Sequence, residues 1–364
     1  MKKTIRVAAL GGALALTLAA CGSAPDETPD ASGSAAPAAS DFRACMVSDQ
    51  GGWDDKSFNQ SGFEGLERAG DELGVDVNAV ESTADADYAP NIDSLVQDGC
   101  NYIIGVGFLL EPAIQAAAEA NPDIEFGLID SSFSDDDFNT IVLDNAKPLL
   151  FNTAEAAFLA GYVAGATTET GTVATFGGLP IPSVQIFMDG FADGIAQWNE
   201  DSGESVQLLG WDKATQEGQF SGDFETQANG QSITQGFLDQ GADIIMPVAG
   251  PVGLGAAAAI EAAGGTAKLI WVDSDGYEST EYGSIILTSV MKEIGQAVYD
   301  SISQAADGEF TNEPYVGTLE NEGVGIAPFH DFEDAVPADV QTRIDELREQ
   351  IISGELVVES PNAP

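Results

Sequence analysis

Acidic and glycine residues recur at the ends of short apolar runs along this chain of 364 residues. Asp49 closes ACMVS, Gly107 and Phe108 close NYIIGV, and Asp130 closes IEFGLI. Further on, Gly177 and Gly178 follow TVATF, and Trp211 and Asp212 end VQLLG. Ala249 and Gly250 follow IIMPV, and Asp273, Ser274 and Asp275 end KLIWV. Each alone is an ordinary passage from strand to loop. Together they gather carboxylates, which accept hydrogen bonds from ligand hydroxyls or amines, and glycines, which let a backbone approach closely. One carboxylate can accept from both hydroxyls of a ribose diol.

The segment DQGGWDDKSFNQ, 49–60, adds Phe58, whose ring can stack on a flat ligand at roughly 1–3 kcal/mol per base. Asn59 and Ser57 either reach that ligand or close the turn. Asp54 and Asp55 stand just before a helical pattern and are placed to cap it. Lys56 can pair with them or meet the ligand, and Phe108 either lines the site or ends its strand. This set suits a nucleoside better than a fatty or anionic ligand, with a free sugar as the nearest competitor.

These residues need a scaffold, and the hydrophobic pattern supplies one. ACMVSD reads as a strand and SGFEGLERAGDELG as an amphipathic helix with Phe63, Leu66, Ala69 and Leu73 inward. The alternation continues through VDVNAVES, APNIDSLVQDGC, NYIIGVGF, EPAIQAAAEANP, IEFGLID and NTIVLDNA. It restarts with PLLFNTAEAAFLAGYVAGATT, read as one long helix, and runs through alternating strands and helices to AKLIWVDSD. SIILTSVMKEIGQAVYDSISQAADGEF reads as another long helix, and ADVQTRIDELREQIISGEL as the last. Alternating strands and helices build parallel sheets covered on both faces. Ligands of such sheets sit beyond the carboxyl ends of the strands.

Composition narrows the function classes. The formal net charge is −48, and three of the twelve basic residues, Lys2, Lys3 and Arg6, fall at the start. Such a surface repels nucleic acid, whose binding needs basic patches. The single histidine, His330, leaves little material for zinc or for nucleophilic catalysis. The basic start, the apolar run and Leu18-Ala19-Ala20-Cys21 read as a secretory signal, 1–21. GSAPDETPDASGSAAPAASD reads as a flexible tether, 22–41. Outside the cytoplasm two remaining cysteines imply one disulfide, and Cys45 and Cys100 begin runs that adjacent parallel strands would bring together.

Leu-Ala-Ala-Cys resembles a bacterial lipobox, with Cys21 as the lipidated residue. With the tether, DQGGWDDKSFNQSGFEG, ETGTVATFGG, PSVQIFMDGFADG, GADIIMPVAGPVGLG and GTLENEGVGIAPF, the chain resembles the basic membrane protein family, from about residue 44 to 356. These are extracytoplasmic lipoproteins that include purine-nucleoside receptors of ABC importers. The resemblance implies a type I periplasmic-binding fold, α/β, with two Rossmann-like lobes and a hinge of three crossovers. We expect 42–146 with 275–303 in the first lobe and 147–274 with 304–360 in the second.

Carried over by position, Asp49, Gln50 and Asp130 would face the base and Phe58 would stack on it. Met246 stands where the resemblance expects the opposing aromatic, and the turn at Gly250 reads GPVG. Asp275 would accept the ribose hydroxyls, with Asp273 two positions away as the alternative register. Lys292 would contact the sugar or its carboxylate neighbour. Asn59, Phe108 and Gly250 complete the expected ligand set, with no cofactor and no metal.

The implied function is a monomeric, lipid-anchored receptor on the outer face of the cell membrane that hands a nucleoside to an ABC permease and its ATPase. A sugar receptor or a sensor lipoprotein of the same fold is the alternative. An extracellular nucleoside hydrolase is a further one, since a carboxylate could activate water.

Overall fold

The computed structural model describes residues 41–135 and 139–364. The signal sequence, most of the tether and the Cys21 lipidation site lie outside the described residues. The first sheet uses β1 (Arg43–Ser48), β2 (Asp76–Val80), β3 (Tyr102–Val106) and β4 (Glu125–Ile129). A small hairpin, β5 (Phe133–Ser134) and β6 (Thr140–Ile141), precedes β7 (Ala146–Phe151). Helices α1 (Phe58–Leu73), α2 (Asp85–Gln97) and α3 (Glu111–Ala120) connect these strands.

The chain then builds a second sheet from β8 (Thr172–Gly177) and β9 (Gln207–Leu209), followed by the hairpin β10 (Trp211–Asp212) and β11 (Glu217–Gly218). β12 (Ile244–Val248), β13 (Lys268–Asp273) and β14 (Ile286–Lys292) continue the sheet. Its helices are α4 (Thr153–Thr167), α5 (Pro182–Ser202), α6 (Gln227–Asp239), α7 (Val252–Ala262) and the single turn α8 (Gly276–Ser279). Helix α9 (Ile294–Ala306) returns to pack on α1. Strand β15 (Tyr315–Gly317) joins the first sheet, β16 (Val324–Ile326) joins the second, and α10 (Ala338–Ile352) packs on α4.

The sheet orders match. The first runs β15-β7-β4-β3-β1-β2 and the second β16-β14-β13-β12-β8-β9. All pairings in the first sheet are parallel; in the second only β14–β16 is antiparallel. Each sheet is thus a doubly wound unit with its strands buried between helices, and β1, β3, β12 and β13 are apolar almost throughout, as burial on both faces demands.

Several sequence expectations change. PLLF is strand, and its helix begins only at Thr153. SIILTSVMK also holds a strand, β14, whose β-branched residues fit a pleated, buried surface. NTIVLDNA is not one strand: Thr140–Ile141 form β6, and its last residue, Ala146, begins β7. The lobe boundaries therefore move. β14, expected in the first lobe, is in the second sheet, and β15, expected in the second, is in the first. The chain crosses between lobes after β7, after β14 and after β15.

Cys45 in β1 and Cys100, two residues before β3, form a disulfide with Cα atoms 6.0 Å apart. The pairing of β1 with β3 brings them together. Among the described residues no helix is long and apolar enough to cross a membrane.

Candidate functional site

Residues at the carboxyl ends of both sheets line one cleft. From the first lobe come Asp49, Gln50, Phe58, Asn59, Phe108 and Asp130; from the second come Gly250 and Asp273, with Lys292 at a crossover.

Lys292 ends β14 and is 4% exposed. Its ammonium pairs with Asp130 of the first lobe and, at 3.2 Å, with Asp273 of the second. It also lies 4.9 Å from the ring centroids of Phe58 and Phe187. Asp130 directly follows β4 and Asp273 ends β13, strands that hold the same place in the two sheet orders. Both carboxylate residues adopt left-handed backbone, φ 62° and 70°. Such conformations are uncommon outside glycine and cluster at functional sites.

The segment 49–60 divides its work. Asp49 is buried and accepts from Asn59 Nδ2 at 2.8 Å. A Cβ at Gly107, where φ is 110°, would collide with the Asp49 carboxylate, so glycine is required there. Asn59 Oδ1 is buried and has no donor among the described residues, which leaves an acceptor for a ligand N–H or O–H. The Gln50 amide donates to Asp85 Oδ1 at 3.0 Å. Asp55 accepts from the backbone N–H groups of Ser57, Asn59 and Gln60 and so caps α1. Asp54 is exposed and pairs with Lys56 instead. Trp53 stacks on Phe63 with ring centroids 5.1 Å apart.

Four carboxylates, Asp49, Asp55, Asp130 and Asp273, thus share the cleft with one ammonium. Burial works against the Lys292 charge, but Asp130 and Asp273 outweigh it and hold its pKa above the ordinary value. Burial pushes Asp130 up against the pull of Lys292, and pushes Asp49 well up despite the Asn59 hydrogen bond. Burial also raises Asp55 from 3.8 to about 6, opposed by its three backbone hydrogen bonds.

A pH dependence follows. A carboxyl with a raised folded-state pKa retains its proton where the unfolded chain has released it, so its stabilising contribution is lost as pH rises through the folded value. The ligand-free protein is expected to be more stable at pH 5 than at pH 7.5. Asp55 alone, raised from 3.8 to about 6, contributes on the order of 1.4 kcal/mol of that difference. Urea denaturation across this range checks it, and Asp55→Asn should flatten the slope; an unchanged slope would assign the dependence elsewhere.

Two expected site residues lie outside the cleft. Met246 is in the middle of β12, 0% exposed, and short of the carboxyl end, so its side chain is core. Two second-lobe aromatics line the cleft, Phe187 of α5 and Phe224 from the loop between β11 and α6. The Phe224 ring covers Gly178, where any Cβ would collide with it. The Gly177-Gly178 pair was the sequence signal for a large group packed close. Asp275 also lies elsewhere: the left-handed Asp273 breaks the strand alternation, and Asp275 caps α8 and meets His330 Nε2 at 2.7 Å. Sequence reading also missed Phe187 and Ser183 of α5, which carry no pattern distinguishing them from core and helix-start residues.

A family model described as "ABC transporter substrate-binding protein PnrA-like" matches residues 42–361. The CD4+ T-cell-stimulating antigen of Listeria monocytogenes is 29% identical, over 98% of this chain and 99% of that protein. The ABC transporter nucleoside-binding protein BmpA of Lactococcus lactis is also 29% identical, over 99% of both chains. An ABC transporter solute-binding protein from Aeropyrum pernix, at 24% identity, superposes with a TM-score of 0.77 over 86% of this chain and 92% of its own. The chain belongs to the Bmp family of PnrA-like ABC transporter substrate-binding proteins.

Proposed function

We propose that the cleft binds a purine nucleoside and that the protein delivers it to a membrane permease. Phe58 and Phe224, one from each lobe, grip the base, and Asp49 and Asn59 receive its N–H groups. Asp273 accepts the ribose hydroxyls, oriented by Lys292 and opposite Asp130. Nothing reacts; hinge closure of the two lobes is the functional event. Cys21 carries the lipid anchor and 22–41 the tether, so the binding domain works at the outer membrane face. The observation that carries this reading is one cleft with an aromatic ring from each lobe and a carboxylate–ammonium–carboxylate bridge between them. The nucleoside-binding relative from Lactococcus lactis supports it.

Four carboxylates against one ammonium also disfavour a phosphate, so nucleotides should be rejected. Calorimetric titration of the full chain with nucleosides, bases, sugars and nucleoside 5′-phosphates tests both points. Purine nucleosides should bind, and their 5′-phosphates should bind at least about 100-fold more weakly, because like charges in a desolvated cleft cost several kcal/mol. Phe58→Ala and Phe224→Ala should each weaken the nucleoside about five- to 150-fold, the equivalent of roughly 1–3 kcal/mol of stacking. Binding of a sugar with failure of every nucleoside would overturn the reading.

A further inference from the structure

We infer that Lys56 and Ser57 form a clasp between the lobes and that Ser57 is a positioning residue for Asp273. This rests on the reading of Asp273 as a ligand group. Neither Lys56 nor Ser57 lines the cleft. Lys56 has φ 61°, left-handed in a residue that rarely adopts it. This conformation turns its carbonyl toward the second lobe, where three side chains meet it. Trp271 Nε1 lies at 3.1 Å, Ser274 Oγ at 3.0 Å and Ser279 Oγ at 3.1 Å. The two hydroxyls are 3.2 Å from each other, so one can donate to the other while that one donates to the carbonyl.

The next residue completes the contact. The Ser57 hydroxyl, fully buried, stands 2.7 Å from Asp273 Oδ2 and 3.0 Å from the Val272 carbonyl. Its single proton can serve one of these second-lobe acceptors, and the closer, charged carboxylate is the stronger. Asp273 is held at both oxygens, Oδ2 by Ser57 and Oδ1 by Lys292. A carboxylate fixed at both ends loses little rotational freedom when a ligand arrives, which is how preorganisation adds affinity.

The clasp also has a reason to persist. Trp271 is 1% exposed, and the only hydrogen-bond partner found for its indole N–H among the described residues is the Lys56 carbonyl. Pulling the loop away would strand a buried donor. The contact adjoins Lys292 through Asp273, which both Ser57 and Lys292 hold.

Calorimetry on the full chain tests the positioning role. Ser57→Ala should weaken a ribonucleoside by about tenfold or more, the effect of one hydrogen bond to a charged group. The free base should change less than about twofold, and Ser57→Thr should restore most of the loss. Ser57→Ala should add little in the Asp273→Asn background, because a positioning residue acts only through the group it holds. Equal losses for nucleoside and base, or additive losses in the double variant, would overturn it. Hydrogen exchange in the ligand-free protein tests the clasp independently of any ligand. A Ser274→Ala/Ser279→Ala variant should exchange faster in 55–62 and 271–279 together; unchanged exchange there would refute the clasp. If the wild-type chain binds no nucleoside, the functional reading falls while the exchange result still decides the clasp.

Discussion

Replacing Lys292 by methionine is expected to destabilise the folded protein by about 3–5 kcal/mol at pH 7.5, the usual loss when one partner of a buried ion pair is removed. Methionine keeps the length and apolar body of the side chain, so packing against Phe58 and Phe187 survives. What disappears is the charge between Asp130 and Asp273. Two buried carboxylates then face each other with Asp49 and Asp55 in the same cleft. Protonation relieves this, so the deficit should shrink as pH falls from 7.5 to 5. Urea denaturation at both values gives the answer. A loss below about 1 kcal/mol at pH 7.5, as for an exposed pair, would mean that the bridge does not hold the lobes. Nucleoside affinity should fall in the same variant, because Asp273 loses the support of its Oδ1.

Opening the Cys45–Cys100 bridge should cost about 4 kcal/mol. The bridge spans 55 residues, and closing a loop of that length removes roughly this much conformational entropy from the unfolded chain. The loop encloses β1, α1, β2 and α2, and so contains the whole segment 49–60. A Cys45→Ala/Cys100→Ala variant should unfold at lower urea than the oxidised protein. A reductant should lower the wild type to the same midpoint and leave the variant unchanged. Coincident midpoints with and without reductant in the wild type would show that the bridge carries no stability.

The first-lobe cleft residues were legible because strand ends are marked in sequence. An apolar run stops at Asp49, at Gly107 and at Asp130, and the parallel architecture sends all three to one edge. The second lobe was harder for two physical reasons. One cleft aromatic is Phe224, in a loop whose landing place on Gly178 is set by tertiary packing and not by a period, so attention fell on Met246 in the nearby strand. The choice between Asp273 and Asp275 turned on one backbone dihedral, φ 70° at Asp273, which strand alternation cannot anticipate. Lys292 was expected at the ligand from the resemblance, yet its segment read as a helix. The β-branched residues Ile286, Thr288 and Val290 preceding it were the overlooked mark of a strand.

The sheet orders match strand for strand, but the site between the sheets is asymmetric at Lys292. Asp130 and Asp273 are the same position in two copies of one architecture. The strand beside each also ends at a matching place, in Phe151 for β7 and in Lys292 for β14. A symmetric pair of identical halves would set carboxylate against carboxylate with a phenylalanine on each side, or would carry two ammonium groups. Joined in one covalent chain, the halves share a single cation between both acids, contributed by one of them. Charge balance at the centre of the molecule is therefore a property of the joined chain and of neither half. The ligand enters a site whose handedness is already decided.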